Sequence, residues 1–241
     1  MLINNDLVFL PIPKNASTSI MYSVMKWGIN VDFGKRDMNE FMLNQIKNKN
    51  NGGFWHPHYS IGFIKDKFPN KKIIGIKRDS TDRFISALKY MIIRCKMENV
   101  NLKYDFEILS ENNIIEMFSN LFFELNNFKN LTPSNEMETI LLDGNMRNII
   151  KKYLSDDYMN FNKMYLFNFT SQYFWGLDDC DIIIDIKNLN EFESHIKTIK
   201  PAFNLIKSNK SDEVYLKIEK TKKLSIFVNN NIDLKWVNKN T

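Results

Sequence analysis

Three short apolar runs along the chain, each followed by a segment with helical spacing, constrain the fold most strongly. Residues 7–12, 71–77 and 180–189 read LVFLPI, KKIIGIK and CDIIIDIKNL, and the last two are rich in β-branched side chains. Such runs, with little polar alternation, are typical of strands that are buried on both faces of a parallel sheet. The alternation of strands with helices predicts an α/β fold with a mostly parallel central sheet and helices on both faces.

Helical spacing also extends through the middle of the sequence. Apolar residues recur at intervals of three and four over residues 17–27, 60–68, 81–96, 114–128, 136–154, 191–199 and 212–228. Gly144 is expected to interrupt the fifth of these segments. The section 97–160 is therefore predicted to be rich in helix, and the length of 241 residues predicts a single domain over residues 1–241.

The overall charge favours anionic partners without selecting one. The net charge of +5 fits nucleotides, nucleic acid, sulfated or phosphorylated sugars, or a membrane surface, and charge alone fits an ordinary basic protein equally well. Cys95 and Cys180 have no C-x-x-C spacing and are predicted to be reduced structural residues. No uncharged apolar run approaches the roughly 20 residues of a membrane span, and no signal peptide is evident. We therefore expect a soluble, cytoplasmic protein, and its oligomeric state is left open.

The loop after the first strand has the composition of an anion site. It reads PKNASTSI and leads directly into the first helix, whose first turn carries unpaired N–H groups and partial positive charge. Lys14 adds a full charge, and Ser17, Thr18 and Ser19 add hydroxyls and amides. The P-loop pattern G-x-x-x-x-G-K-[ST] is not met, because the lysine precedes the hydroxyl residues and both glycines are missing. Alternatively, Ser17 is only a helix N-cap.

A second polar motif, RDSTDRFISA, follows the strand KKIIGIK. Arg78 stands at the end of that strand, and Ser86 stands about a turn into the next helix. A guanidinium and a hydroxyl in these positions are suited to one phosphate group.

Together, PKNASTSI and RDSTDRFISA resemble the two cofactor-binding signatures of sulfotransferases that use 3′-phosphoadenosine 5′-phosphosulfate, especially the carbohydrate-type families. In those families the first signature, P-K-x-x-x-T/S, wraps the 5′-phosphosulfate, and the second, R-[DEN]-P-x-x-R-x-x-S, holds the 3′-phosphate. The resemblance implies that Arg78 and Ser86 bind the 3′-phosphate. It implies that the 5′-phosphosulfate is bound by Pro13, Lys14, Asn15, Ala16, Ser17, Thr18 and Ser19.

The chain departs from these signatures at a few positions. Ser80 stands where the family usually has proline, and Asn15 and Ala16 replace residues that are often small or glycine. Because residues other than glycine resist left-handed turns, the second departure leaves the tightness of the loop undecided.

Two later segments extend the resemblance over most of the chain. Residues 170–196, TSQYFWGLDDCDIIIDIKNLNEFESHI, look like a family segment in which a glutamine precedes a strand and a helix start. Residues 205–212, LIKSNKSD, are similar to the family's H-x-N-K-S loop, which places Asn209 and Lys210 near the cofactor.

The resemblance implies a P-loop-NTPase-like sulfotransferase fold and a definite reaction. A sulfuryl group would move by in-line transfer from 3′-phosphoadenosine 5′-phosphosulfate to an acceptor hydroxyl on a carbohydrate, releasing adenosine 3′,5′-bisphosphate. Lys14 would bind the bridging oxygen as charge builds on the departing phosphate, and no metal is required. Long polysaccharide, small glycan, lipid-linked sugar and peptide tyrosine all remain open as acceptors. Because no membrane anchor is evident, the resemblance favours a soluble enzyme of prokaryotic or viral source over a Golgi-type enzyme.

The acceptor hydroxyl needs a base, and the stretch FWHPHYS offers His56 and His58 between the two motifs. His58 is preferred, because the residues that follow it begin a predicted helix; His56, Glu40 and Asp37 remain alternatives. A zinc site built on the H-x-H pair is disfavoured, since His195 is distant and the cysteines lack suitable spacing.

Two other functional classes compete with this interpretation. A nucleic-acid-binding protein would use Phe54, Trp55 and Tyr59 as stacking groups, but no nucleic-acid motif is present and the charges are spread, so no nucleic-acid partner is expected. A nucleotide or sugar kinase would share the architecture but would need the missing glycine-lysine loop.

Overall fold

The structure is a computed structural model that describes residues 6–27, 29, 61–126, 144–161, 164–206 and 219–233. The described elements, in chain order, are β1 (Leu7–Leu10), α1 (Ser17–Lys26), α2 (Ile61–Lys67), β2 (Lys72–Lys77), α3 (Ser80–Met97), α4 (Glu111–Asn126), α5 (Gly144–Tyr153), α6 (Met164–Phe167), β3 (Ile182–Asp185), α7 (Leu189–Lys197) and α8 (Lys222–Val228). Short 3-10 turns cover Tyr173–Trp175, Leu177–Asp179 and Ile186–Asn188, and a π turn covers Asn229–Asp233.

The chain divides into two compact units, neither of which is continuous in sequence. Unit 1 consists of Met1–Arg78 and Gln172–Lys210, and unit 2 consists of Asp79–Ser171 and Ser211–Thr241. The prediction of a single domain remains a prediction.

Unit 1 contains a three-stranded parallel sheet in the order β1-β2-β3. Leu10 of β1 pairs with Gly75 of β2, and Lys77 of β2 pairs with Asp185 of β3. The four inner residues of β2 are buried, as expected for a central strand with neighbours on both sides. The predicted parallel sheet is therefore confirmed, with three strands in the described part of the chain.

Helices cover both faces of the sheet. On one face, α1 and α7 bury Phe9 and Ile76, and Phe9 meets Phe192 edge to face at 5.8 Å between ring centroids. On the other face, α2 packs on β1, and the turn that contains Leu177 and Cys180 crosses β2 at Gly75. A Cβ atom on residue 75 would lie 2.8 Å from the Cys180 sulfur, so this glycine permits the close approach.

Unit 2 is helical in its described part, as predicted for the middle of the sequence. Its core contains a group of aromatic side chains, in which Phe84 of α3 lies edge-on to Phe118, Phe169 and Phe227 at 5.0, 5.5 and 6.1 Å between ring centroids. Cys95 and Cys180 are both free thiols, Cys95 in this core and Cys180 in unit 1.

The start of α3 is fixed by Asp79, whose side chain accepts hydrogen bonds from the N–H groups of Thr81 and Asp82, each at 3.0 Å. Lys220 lies 2.8 Å from the Asp79 carboxylate. Burial acts to raise the pKa of Asp79, but the hydrogen bonds from Lys220 and the backbone outweigh it, so the pKa is lowered.

Several predicted boundaries differ from the observed ones by a few residues, and two of these differences are at β3 and at the start of α8. The predicted strand over residues 180–189 is β only at Ile182–Asp185, because the Asp185 side chain accepts from the Lys187 N–H and starts a 3-10 turn. The helix predicted over residues 212–228 begins at Lys222, where the Thr221 hydroxyl caps the Leu224 N–H; residues 212–218 lie outside the described part.

Candidate functional site

The loop between β1 and α1 has an unusual backbone for residues that carry side chains. Lys14 has a φ of 63° and Ala16 a φ of 59°, which places both in the left-handed region. Such a conformation is uncommon for residues other than glycine and costs about 1–2 kcal/mol at each position. The loop is therefore as tight as one that contains glycines, and tertiary contacts must hold it.

Left-handed residues within a turn are found in backbone nests, which direct successive N–H groups toward an anion. In this loop the Asn15 N–H donates to the Ile12 carbonyl oxygen at 3.3 Å, so an anion would be met mainly by the first turn of α1. Ala16 is also the N-cap of α1; its methyl side chain makes no capping hydrogen bond, and the first turn of the helix contains no acidic residue. Both features favour negative charge at this place, because the helix dipole and the amides there are positive.

Asn15 connects the loop to the centre of the sheet. Its side chain is 1% exposed, and its Nδ2 donates to the Ile76 carbonyl at 2.6 Å and to Gln172 Oε1 at 3.0 Å. Its Oδ1 is buried and has no hydrogen-bond partner within the described part of the chain. The Asn15 side chain thus serves as an anchor of the loop.

Arg78 follows the last residue of β2, as predicted, and its side chain contacts the same loop. Its Nη1 donates to the carbonyl oxygen of Lys14 at 2.9 Å. The backbone N–H of Arg78 donates to Gln172 Oε1 at 3.1 Å, and Gln172 Nε2 donates to the Arg78 carbonyl at 3.0 Å. The structure therefore brings together Lys14, Asn15 and Arg78, from both motifs, around Gln172.

Gln172 was absent from the predicted site residues. The sequence did point to this residue, because Gln172 is the glutamine of the segment TSQYFWGLDD that resembles the family. The resemblance did not indicate which residues its side chain contacts. Its partners lie at large sequence separations, for example 157 residues for Asn15, so local patterns did not reveal them.

The remaining residues of the first motif differ in exposure. Pro13 and Ser17 are buried, and Lys14, Ala16, Thr18 and Ser19 are half-buried. The carbonyl oxygen of Ser19 accepts a hydrogen bond from the Ser23 hydroxyl at 2.6 Å, within α1.

The segment that precedes the predicted Asn209 and Lys210 contacts lies against α1. The Ile206 N–H donates to the Ser23 hydroxyl oxygen at 2.7 Å, and the Leu205 N–H donates to a Glu193 carboxylate oxygen at 2.5 Å. Asn209 and Lys210 themselves lie outside the described residues.

Ser86, the second predicted 3′-phosphate contact, lies in the second turn of α3 in unit 2 and is 8% exposed. Arg83, which belongs to the same motif, is 3% exposed and donates from Nη1 to the Thr170 carbonyl, also within unit 2. The proposed role of Ser86 remains a prediction.

Every residue considered as the base lies outside the described residues: His56, His58, Glu40 and Asp37. The aromatic residues of the nucleic-acid alternative, Phe54, Trp55 and Tyr59, lie outside them as well. Within the described ranges, no group of three or more His, Cys, Asp or Glu side chains is placed to hold a metal ion.

No protein-family model matches this chain, and neither a curated protein nor a solved structure is significantly similar to it. Among the helices that the structure describes, none is both long and apolar enough to cross a membrane. An assignment of function therefore depends on the geometry of the site.

Proposed function

We propose that the chain is a sulfotransferase that uses 3′-phosphoadenosine 5′-phosphosulfate and has a P-loop-like sulfotransferase fold. The observation that carries the proposal is the left-handed loop at Lys14 and Ala16, which Arg78 contacts through the Lys14 carbonyl oxygen. Two motifs 64 residues apart meet there, at the carboxyl ends of adjacent parallel strands. Ligands of open α/β sheets bind at this edge.

The residues fit an anionic donor group. The first turn of α1 presents backbone N–H groups and the positive end of the helix dipole, and Lys14 supplies a positive charge. The absence of acidic residues from the first turn of α1 removes a source of repulsion. A phosphosulfate at this loop would be held mainly by the backbone, with little dependence on glycine.

The donor supplies the sulfuryl group, and its bisphosphate part is the leaving group. Lys14 acts on the developing negative charge of the bridging oxygen, so its contribution is largest in the transition state. The acceptor hydroxyl loses its proton to a base, for which His58 is the first choice and His56, Glu40 and Asp37 are the alternatives. The acceptor is proposed to be a carbohydrate.

The first test is binding of adenosine 3′,5′-bisphosphate, compared with ADP and ATP, by calorimetry and by the shift in melting temperature. We expect the bisphosphate to stabilise most, by about 2.7 kcal/mol at 100 times its dissociation constant. Equal stabilisation by ADP would instead favour a kinase-like phosphotransferase, and stabilisation by oligonucleotides alone would favour a nucleic-acid-binding protein.

Two charge deletions separate binding from catalysis. Arg78→Ala should weaken bisphosphate binding by about 1.5–3 kcal/mol, since it removes a charge-assisted contact. Lys77→Ala, which removes a neighbouring exposed charge on β2, is its matched control and should have little effect. Lys14→Ala should lower sulfuryl transfer at least a hundredfold with a smaller loss of affinity. Wild-type bisphosphate affinity in Arg78→Ala would show that the second motif is misassigned.

A further inference from the structure

Gln172 binds both backbone polar groups of Arg78 with one side-chain amide. Oε1 accepts the Arg78 N–H at 3.1 Å, and Nε2 donates to the Arg78 carbonyl at 3.0 Å. The register of β2 with β3 reaches Lys77, one residue earlier. The Gln172 amide therefore pairs with the backbone just beyond the ladder, in the manner of a neighbouring strand.

The same amide also binds the first loop. Oε1 accepts a second hydrogen bond, from Asn15 Nδ2 at 3.0 Å, and Gln172 is 1% exposed. Only one orientation of the amide fits, because exchange of its oxygen and nitrogen would direct a donor at two donors. An ionised glutamate at position 172 would lack the N–H donor for the Arg78 carbonyl oxygen. An apolar side chain of the same size would lack both this donor and the acceptor oxygen.

Asn15 lies between the two left-handed residues, so holding its side chain restrains the backbone on both sides. Arg78 provides a second connection, from its Nη1 to the carbonyl oxygen of Lys14 at 2.9 Å. Strained backbone persists only where the surroundings over-determine it, and these connections act on consecutive residues. From these contacts we infer that Gln172 is a positioning residue, which holds the loop at residues 14–16 and the backbone of Arg78 in one fixed relation.

A buried turn holds Gln172 in place. Its carbonyl oxygen accepts the N–H groups of Trp175 at 3.2 Å and of Leu177 at 3.4 Å, and both of these side chains are fully buried. Gly176 continues the turn with a φ of 88°. The amide is thereby presented to the end of β2 by a segment that is packed on its own.

The test uses two variants and two measurements. Gln172→Met preserves approximate size and removes every hydrogen bond of the Gln172 amide. Asn15→Ala removes the bonds of the loop to Gln172 and to the Ile76 carbonyl oxygen, and it leaves the pairing of Gln172 with Arg78 in place. Asp181→Ala is the matched control, because Asp181 Oδ2 accepts the Ile73 N–H at 2.7 Å, at the opposite end of β2. The measurements are amide hydrogen exchange resolved to single residues and the affinity for adenosine 3′,5′-bisphosphate.

In Gln172→Met we expect exchange at the hydrogen-bonded amides of Arg78, Asn15 and Ile20 to accelerate at least tenfold, while Ile74 and Ile76 keep their protection. In Asn15→Ala we expect faster exchange at residue 15 and Ile20, with exchange at Arg78 unchanged. Bisphosphate affinity should fall at least tenfold in both variants and change less than twofold in Asp181→Ala. The prediction for bisphosphate affinity rests on the proposed function, whereas the prediction for amide exchange does not.

Wild-type exchange at Arg78, Asn15 and Ile20 in Gln172→Met would overturn the inference. If that variant does not fold, unchanged exchange at residue 15 and Ile20 in Asn15→Ala would overturn it instead. Accelerated exchange with unaltered affinity would refute the link from positioning to binding. If the wild-type protein does not bind the bisphosphate, the proposed function fails, and the exchange measurements alone decide whether Gln172 positions the loop.

Discussion

Replacing Ala16 by glycine should stabilise the protein, although glycine usually destabilises a helix interior. Ala16 has a φ of 59° and a ψ of 10°, and a left-handed conformation costs an L residue about 1–2 kcal/mol. Glycine avoids that cost but loses about 0.5–1 kcal/mol through its greater freedom in the unfolded chain. Glycine is also a better N-cap than alanine. The net expectation is a stabilisation of about 0.5–1 kcal/mol.

The assay is thermal unfolding together with urea unfolding at neutral pH. For a chain of this size the expected gain raises the melting temperature by about 1–4 °C. Lys89→Gly, in the middle of α3, is the control and should destabilise by about 0.5–1 kcal/mol. If Ala16→Gly destabilises as much as Lys89→Gly does, residue 16 is not left-handed, and the nest-like description of the loop is wrong.

Lys14 offers a second test of the strained loop, in which the two variants compared carry the same charge. With a φ of 63°, Lys14 should also gain from glycine, whereas alanine retains the backbone cost. Lys14→Gly should therefore be more stable than Lys14→Ala by about 0.5–1 kcal/mol, although both variants lose the ammonium group. Equal stability of the two variants would contradict the strained loop.

Two further predictions concern positions outside the loop. Gly176→Ala should destabilise by at least about 2 kcal/mol in urea unfolding, because φ is 88° and the new Cβ would lie 2.2 Å from Ile61 Cγ2. The exposed helical Gly62→Ala is its control and should be neutral or stabilising. Asp79→Ala should cost about 1 kcal/mol at pH 7 through loss of the α3 cap. Because folding lowers the pKa of Asp79 below 3.8, this difference should persist above that pH and close as the pH falls through the folded-state value; a constant difference down to pH 2 would contradict it.

Local sequence patterns were sufficient for the strands and for most of the helices. The run KKIIGIK predicted a buried central strand at residues 71–77, and β2 is Lys72–Lys77. The prediction succeeded because a strand with neighbours on both sides and helices on both faces needs apolar side chains in both directions. Errors arose where one polar side chain redirects the backbone, as Asp185 does at the end of β3.

The conformation of the first loop was not available from the sequence. Lysine and alanine seldom adopt left-handed torsions, so the residue types at positions 14 and 16 argue against them. The sequence therefore did not decide whether the loop is tight. The tertiary structure decides it through the buried Asn15 side chain and its bonds to Ile76 and Gln172. Local propensity differs by about a kilocalorie per mole between residue types, so a few buried hydrogen bonds can outweigh it.

The sequence by itself determined an α/β chain with basic and hydroxyl residues at the carboxyl ends of its strands. Only the tertiary structure decided that Gln172 lies between Asn15 and Arg78, because the sequence separations of 157 and 94 residues exceed the reach of any helical or strand periodicity. Strand and helix periods are properties of neighbouring residues. A buried amide takes its partners from whichever segments the packing of the sheet and its turns brings within hydrogen-bonding distance.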